Sequence, residues 1–211
     1  MLNRGGRTRP FKTGTAPMYA KSAITIANIL DAAQVLFTAK NFADVTMSEI
    51  AEAAEVTKGA LYHHFSSKEE LYLKMMHDYL ADIQSLAQAA VKSEGTSRER
   101  LRRLTLSFLE LPVQRQALVR LVRRDINIFS EAVRESLVRA YQAALPEQAE
   151  IIIRDGIRDG EISPYDARLL AWEHVAMVEV VLSSYARTVL SSPAETADYV
   201  TRLFFEGAAA G

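Results

Sequence analysis

Residues 46–65 read TMSEIAEAAEVTKGALYHHF, and this stretch decides the fold. It divides into two short helices joined by a tight turn. Thr46 stands three residues before Glu49. At that spacing a hydroxyl and a carboxylate each satisfy a backbone N–H left unpaired at a helix start. Ile50, Ala53 and Ala54 give the first helix a small apolar face, and Val56 packs in the turn. Thr57 caps the second helix, which runs through Lys58, Gly59, Ala60, Leu61 and Tyr62. Ala53, Ala54, Gly59 and Ala60 leave little side chain between the helices, so a close crossing is expected. Leu61 and Phe65 anchor the second helix, while Thr, Lys, Gly, Tyr and His remain to face outward. That is the pattern of a helix-turn-helix whose second helix enters the DNA major groove.

Residues 25–71 resemble the N-terminal DNA-binding domain of the TetR family of transcriptional regulators. The matching segments are TIANILDAAQVLF and TMSEIAEAAEVTKGALYHHFSSKEEL, in the family's order. The family commonly has Gly where Asn41 and Glu55 stand. Asn tolerates a left-handed backbone, so Asn41 is a mild departure. Glu55 is less comfortable in a turn and adds negative charge near DNA. The resemblance implies an all-α protein with a three-helix head and a larger helical body that binds ligand and dimerises.

The chain has 211 residues, enough to bury a sizeable core in one large domain or two small ones. About half is apolar (49%), which excludes a disordered chain. No apolar run of transmembrane length is evident and no apolar signal core opens the chain, so a cytoplasmic protein without membrane contact is expected. The absence of Cys excludes a disulfide scaffold. With a net charge of −1, any positive surface for DNA must be local.

Residues 1–21 carry Arg4, Arg7, Arg9, Lys12 and Lys21 without an acidic group. Two readings fit, a soluble tail or a basic arm that follows phosphates or enters the minor groove. The head is expected over 22–67, with Thr25 capping a first helix to about Lys40. The body is expected over 68–211, with a helix over 68–91 linking it to the head. Further helices are expected over 98–111, 113–124 and 130–158, the last kinked or split by Pro146 and ended by Gly156 and Gly160. Two more follow, over 165–190 and 194–205. They are apolar on more than one face, and the resemblance assigns them to a homodimer interface.

For DNA contact the candidates are Thr46, Thr57, Lys58, Gly59, Ala60, Tyr62, His63 and Lys68. Lys58 and Lys68 supply charge, the Thr, Tyr and His side chains reach phosphates, and Gly59 and Ala60 allow close approach. Ligand walls are sought at Phe108, Leu111, Leu118, Val122, Ile126 and Phe129, and at Trp172, His174, Met177 and Tyr185. Glu173, His174 and Glu179 are polar groups in an apolar helix, and interface or core hydrogen bonds explain them as well as ligand contact does. No histidine pair has i, i+4 spacing, and no P-loop or nucleophile motif occurs. No catalytic residue, metal or cofactor is therefore expected. The partners implied are a double-stranded DNA operator, a second copy of the chain and a mostly apolar effector, with repression the expected outcome. The alternative is an all-α small-molecule-binding protein or enzyme that has lost DNA binding, with Glu55 as its support.

Overall fold

The computed structural model describes residues 18–207, and among these every regular element is helical. The expected arm lies outside the described residues up to position 17, and the chain is helical from Met18. Helix α1 (Met18–Ala39) thus starts earlier than expected, and Thr25 lies inside it instead of capping it. Its segment Ser22–Ala39 is long and apolar enough, by length and composition, to cross a membrane, contrary to the sequence expectation. In the fold, however, its Ile29, Ala33 and Phe37 face the core of the head.

A 3-10 turn (Phe42–Asp44) leads to α2 (Met47–Ala53) and α3 (Lys58–His64). Thr46 and Glu49 form the expected reciprocal cap on α2. Ile50, Ala51 and Ala54 are buried, whereas Ala53 is exposed, so Ala51 takes the packing role expected of Ala53. Asn41 is extended (φ −68°), and that position makes no demand for Gly.

Glu55 is different: its φ is +55°, in the left-handed region. The Val56 N–H donates to the Ala51 carbonyl at 3.0 Å, closing the end of α2 in the way Gly usually permits. An L-residue with a side chain there is strained by about 1 kcal/mol or more, partly offset because Gly would loosen the unfolded chain. Glu55→Gly should therefore raise stability by up to about 1 kcal/mol. Operator affinity should be kept or improved. Denaturant unfolding and a binding titration check both.

Helix α4 (Lys68–Val91) has 24 residues and is roughly 36 Å long, running from the head through the body. Against it pack α5 (Ser97–Leu109), α7 (Glu131–Ala144), α8 (Pro146–Arg158) and α1, whereas α6 (Val113–Asp125) lies on α1 and reaches α4 through side chains such as Arg115, which donates to Asp82 at 2.8 Å. Pro146 does split the long helix, at Leu145, and stands as the first residue of α8. Gly156 lies inside α8, not at its end. A Cβ there would come within 2.6 Å of Ser97 Oγ, so Gly lets α8 approach the start of α5.

The expected 165–190 helix is interrupted. Helix α9 (Ala167–Val181) is capped by the Asp166 carboxylate, which accepts the Leu169 N–H at 2.7 Å. A turn separates it from the short α10 (Ala186–Val189). There the Ser183 hydroxyl accepts the Ala186 N–H at 3.2 Å, a local alternative to continuing the helix. Helix α11 (Pro193–Glu206) closes the body against α5 and α9.

Head and body share one apolar core. At their junction the rings of Phe37, Phe42, Tyr72 and Phe129 pack together with centroids 5.0–5.7 Å apart. The Tyr72 hydroxyl donates to the buried Asp125 carboxylate at 3.0 Å. Arg124 holds the same carboxylate through two nitrogens at 2.8 Å and donates to the Phe37 carbonyl at 2.9 Å. The end of α6 is thereby tied to both α1 and α4.

Candidate nucleic-acid interface and effector cavity

Helix α3 is short, and its ends are fixed by packing and a cap. The Thr57 hydroxyl accepts the Ala60 N–H at 3.1 Å, and Leu61 and Phe65 are buried on one side. The i, i+4 pairs Lys58/Tyr62 and Gly59/His63 are all exposed and form adjoining outward stripes. Tyr62 is 53% exposed, so its ring is free to meet a partner surface. The Lys58 ammonium makes no ion pair with a described residue. A Cβ on Gly59 would meet only Thr57 Oγ1, at 3.9 Å, so the space over this residue is open.

Ala60 is half-buried and sits beside the outward stripes, not in them. Thr46 and Thr57 are exposed, and both hydroxyls already cap helices. His64 is half-buried against His63, with centroids 5.1 Å apart.

Lys68 corrects the sequence reading. Its ammonium donates to the carbonyls of Phe42 and Val45 at 2.6 Å and of Ala43 at 3.3 Å, and lies over the Phe42 ring. It holds the 3-10 turn to the start of α4 and has no donor left for phosphate. Lys58→Ala should weaken operator binding and lower the log-affinity versus log-salt slope by about one per phosphate contact in each subunit. Lys68→Ala should instead lower fold stability and leave the slope unchanged. Salt titrations of binding, with melting curves, separate the two.

In the body, a narrow cavity of about 30 Å³ lies between α4, α5, α6 and α9. Ile83, Leu86 and Ala87 of α4 face Leu104, Thr105 and Phe108 of α5, Val119 of α6 and His174, Val175, Val178 and Glu179 of α9. Of the sequence candidates, Phe108 and His174 line it. The others are placed elsewhere. Leu118 and Val122 are core residues, Ile126 packs against that core, and Phe129 belongs to the head–body junction. Leu111 borders an open groove beside α11. Trp172 stacks on Tyr141, Met177 faces a groove between α9 and α11, and Tyr185 is exposed. Thr105 was missed. Its signal in the sequence was a lone hydroxyl on the apolar Leu101–Leu104–Phe108 face of α5.

The His174 ring is buried, with Nε2 3.1 Å from Thr105 Oγ1 and its plane edge-on to Phe204. Burial pushes its pKa down from 6.5 to about 4. Between those values the unfolded chain binds a proton that the folded chain does not. The stabilising effect of a neutral His174 is complete above pH 6.5 and is lost as pH falls toward about 4. His174→Phe should flatten this part of the stability-versus-pH curve, read by denaturant unfolding across that range. Glu179 is held from two sides: it accepts the Tyr141 hydroxyl at 2.7 Å and pairs with Arg123 at 2.7 Å.

Residues 29–75 match the family described as bacterial regulatory proteins, tetR family, and residues 94–208 match the tetracyclin repressor-like C-terminal domain. The chain belongs to the TetR family. It is a DNA-binding transcriptional regulator with a helix-turn-helix head and a helical body. Among similar proteins, the HTH-type transcriptional regulator BetI of Rhizobium meliloti is 30% identical over 195 residues, covering 90% of this chain and 91% of that one. The uncharacterized HTH-type transcriptional regulator YhgD of Bacillus subtilis is 28% identical over 144 residues, 68% of this chain and 75% of that one. The crystal structure of FadR from Bacillus subtilis, in complex with stearoyl-CoA, superposes with a TM-score of 0.73 at 18% identity. That match covers 87% of this chain and 99% of FadR, and it speaks to the fold.

Proposed function

We propose that this TetR-family regulator is a cytoplasmic homodimeric repressor, released from its operator by a mostly apolar small molecule bound in the α4–α5–α6–α9 cavity. The observation that carries the release step is that α4 both walls the cavity and starts at the head. A cavity of about 30 Å³ is on the scale of a water molecule, so a larger ligand enters only as the surrounding helices separate. Val119 of α6 is also in the wall, and the end of α6 is tied to the head through Arg124 and Asp125. Separation of α4 and α6 therefore reaches the recognition helix of the same protomer. The ligand shifts the equilibrium only by as much as it prefers the separated state.

The dimer reading rests on α9 and α11. Leu169, Glu173, Ala176 and Val180 form one exposed stripe along α9, with Val180 69% and Leu169 59% exposed. With Met177, Tyr199 and Leu203 beside it, this makes an apolar two-helix surface suited to a symmetric copy. Phe204 and Phe205 are half-buried and packed inward, on His174 and under Arg98, outside the proposed interface. In the DNA contact set we place Lys58, Gly59, Tyr62 and His63 first, Thr46, Thr57 and Ala60 at the margin, and leave out Lys68. Loss of DNA binding has little support, because α2 and α3 keep their caps around Glu55. Mobility shift on the region upstream of the protein's own gene tests the proposal. A nanomolar shift that an apolar extract of the cells reverses is expected. No shift beyond that of random DNA rejects it.

A further inference from the structure

The proposed effector cavity has a polar requirement, set by a chain of hydrogen bonds. The Thr105 hydroxyl donates to the Leu101 carbonyl one turn earlier, at 3.0 Å. A hydroxyl has one hydrogen, so toward His174 this oxygen only accepts. With the hydroxyl hydrogen on the Leu101 carbonyl, the 3.1 Å contact is Nε2–H donating to Thr105. In a neutral imidazole with that proton placed, Nδ1 is a bare acceptor. It is buried and makes no hydrogen bond to any described residue. The ring lines a cavity whose other walls are almost wholly apolar. No Lys or Arg is among the described residues lining the cavity, and Glu179, which is, already has Tyr141 and Arg123 as partners.

We propose that the effector is a neutral, mostly apolar molecule carrying one hydroxyl or amide N–H, which it donates to Nδ1 of His174. This rests on the reading of the cavity as the effector site. A carboxylate is disfavoured: it would bring an acceptor toward an acceptor lone pair, beside Glu179 and without a lining cation. Protonating His174 to receive it is opposed by burial, which holds the imidazolium down. An ether or alkane of the same size fills the space but leaves Nδ1 unpaired.

Octanol, methyl heptyl ether and octanoate test this by calorimetric titration of the full chain. Octanol and the ether have the same number of heavy atoms, and only octanol donates. Octanol should bind at least about tenfold more tightly than either of the others. His174→Phe should erase the octanol preference. Nitrogen NMR of the native chain covers the case in which that variant misfolds. His174 should show the Nε2–H tautomer, and octanol should shift its Nδ1 resonance. Equal binding of octanol and the ether, tighter binding of octanoate, an unmoved Nδ1 resonance, or no saturable octanol binding overturns the proposal. Mobility shift on the same preparation keeps the two readings apart. With operator binding intact, equal binding of octanol and the ether sinks the donor requirement alone, and binding of neither sinks the cavity reading with it, whereas absent operator binding sinks the regulator reading.

Discussion

Gly59→Gln should fold as the parent does and lose operator affinity on the order of 100-fold or more. The residue sits at the second position of α3, exposed, with nothing but Thr57 Oγ1 within 4 Å of a would-be Cβ. Inside the protomer a longer side chain therefore collides with nothing. Gly in a helix is less favourable than most residues by up to about 1 kcal/mol, so the melting temperature should hold or rise slightly. On DNA the position is different. If α3 enters the groove by its outward stripes, Gly59 lies beside Lys58 and one turn before Tyr62 and His63. A Gln there would strike base edges or lift the helix. In the proposed dimer both subunits carry the change, so its cost applies at both half-sites. Gly59→Ala is the control, and should retain most of the binding. A Gln variant that binds as the parent does would mean that this face of α3 does not meet DNA.

Val180→Glu should convert the proposed dimer to a folded monomer and abolish tight operator binding. Val180 is 69% exposed in the protomer, so the substitution adds a solvated charge there at little cost. In a two-fold interface built on α9 and α11 the same charge is buried twice, near its own copy and near Glu173. Burying an unpaired charge costs several kcal/mol, enough to weaken association by on the order of 1000-fold. Sedimentation at micromolar concentration should find the parent dimeric and the variant monomeric, with helical content unchanged. A variant that remains dimeric would move the interface elsewhere on the protein.

The head was more legible than the body because its constraints are local. Thr46 with Glu49, Thr57 with Ala60, and the buried pair Leu61 and Phe65 act within a few residues of one another, and each formed as the spacing implied. Glu55 marked a left-handed position by standing where Gly is usual, whereas Asn41 did not, since its backbone is extended. The Lys68 side chain was misread because its partners, the carbonyls of Phe42, Ala43 and Val45, lie more than twenty residues earlier. Cavity walls suffer the same difficulty. Leu118, Val122 and Phe129 look like ligand contacts in sequence, and only tertiary packing decides that they fill the core. His174 stood out as a polar group in an apolar helix. Its partner Thr105 is 69 residues away and could not be paired with it by pattern. At the break after Val181 the Ser183 hydroxyl takes the Ala186 N–H, a local bond that the apolar run around it concealed.

In the proposed dimer two copies of α3 read DNA sequence at a fixed spacing. Selection of genomic fragments by the purified full-length protein, followed by footprinting of the retained DNA, tests it most directly. Retained fragments should share an inverted repeat, with half-site centres about 10 base pairs or a multiple of that apart, and be protected on one face of the duplex. Gly59→Gln should retain none of them above background. Retained fragments without a common inverted repeat, held no more tightly than random DNA of the same length, would mean that α3 does not read sequence as a two-fold pair.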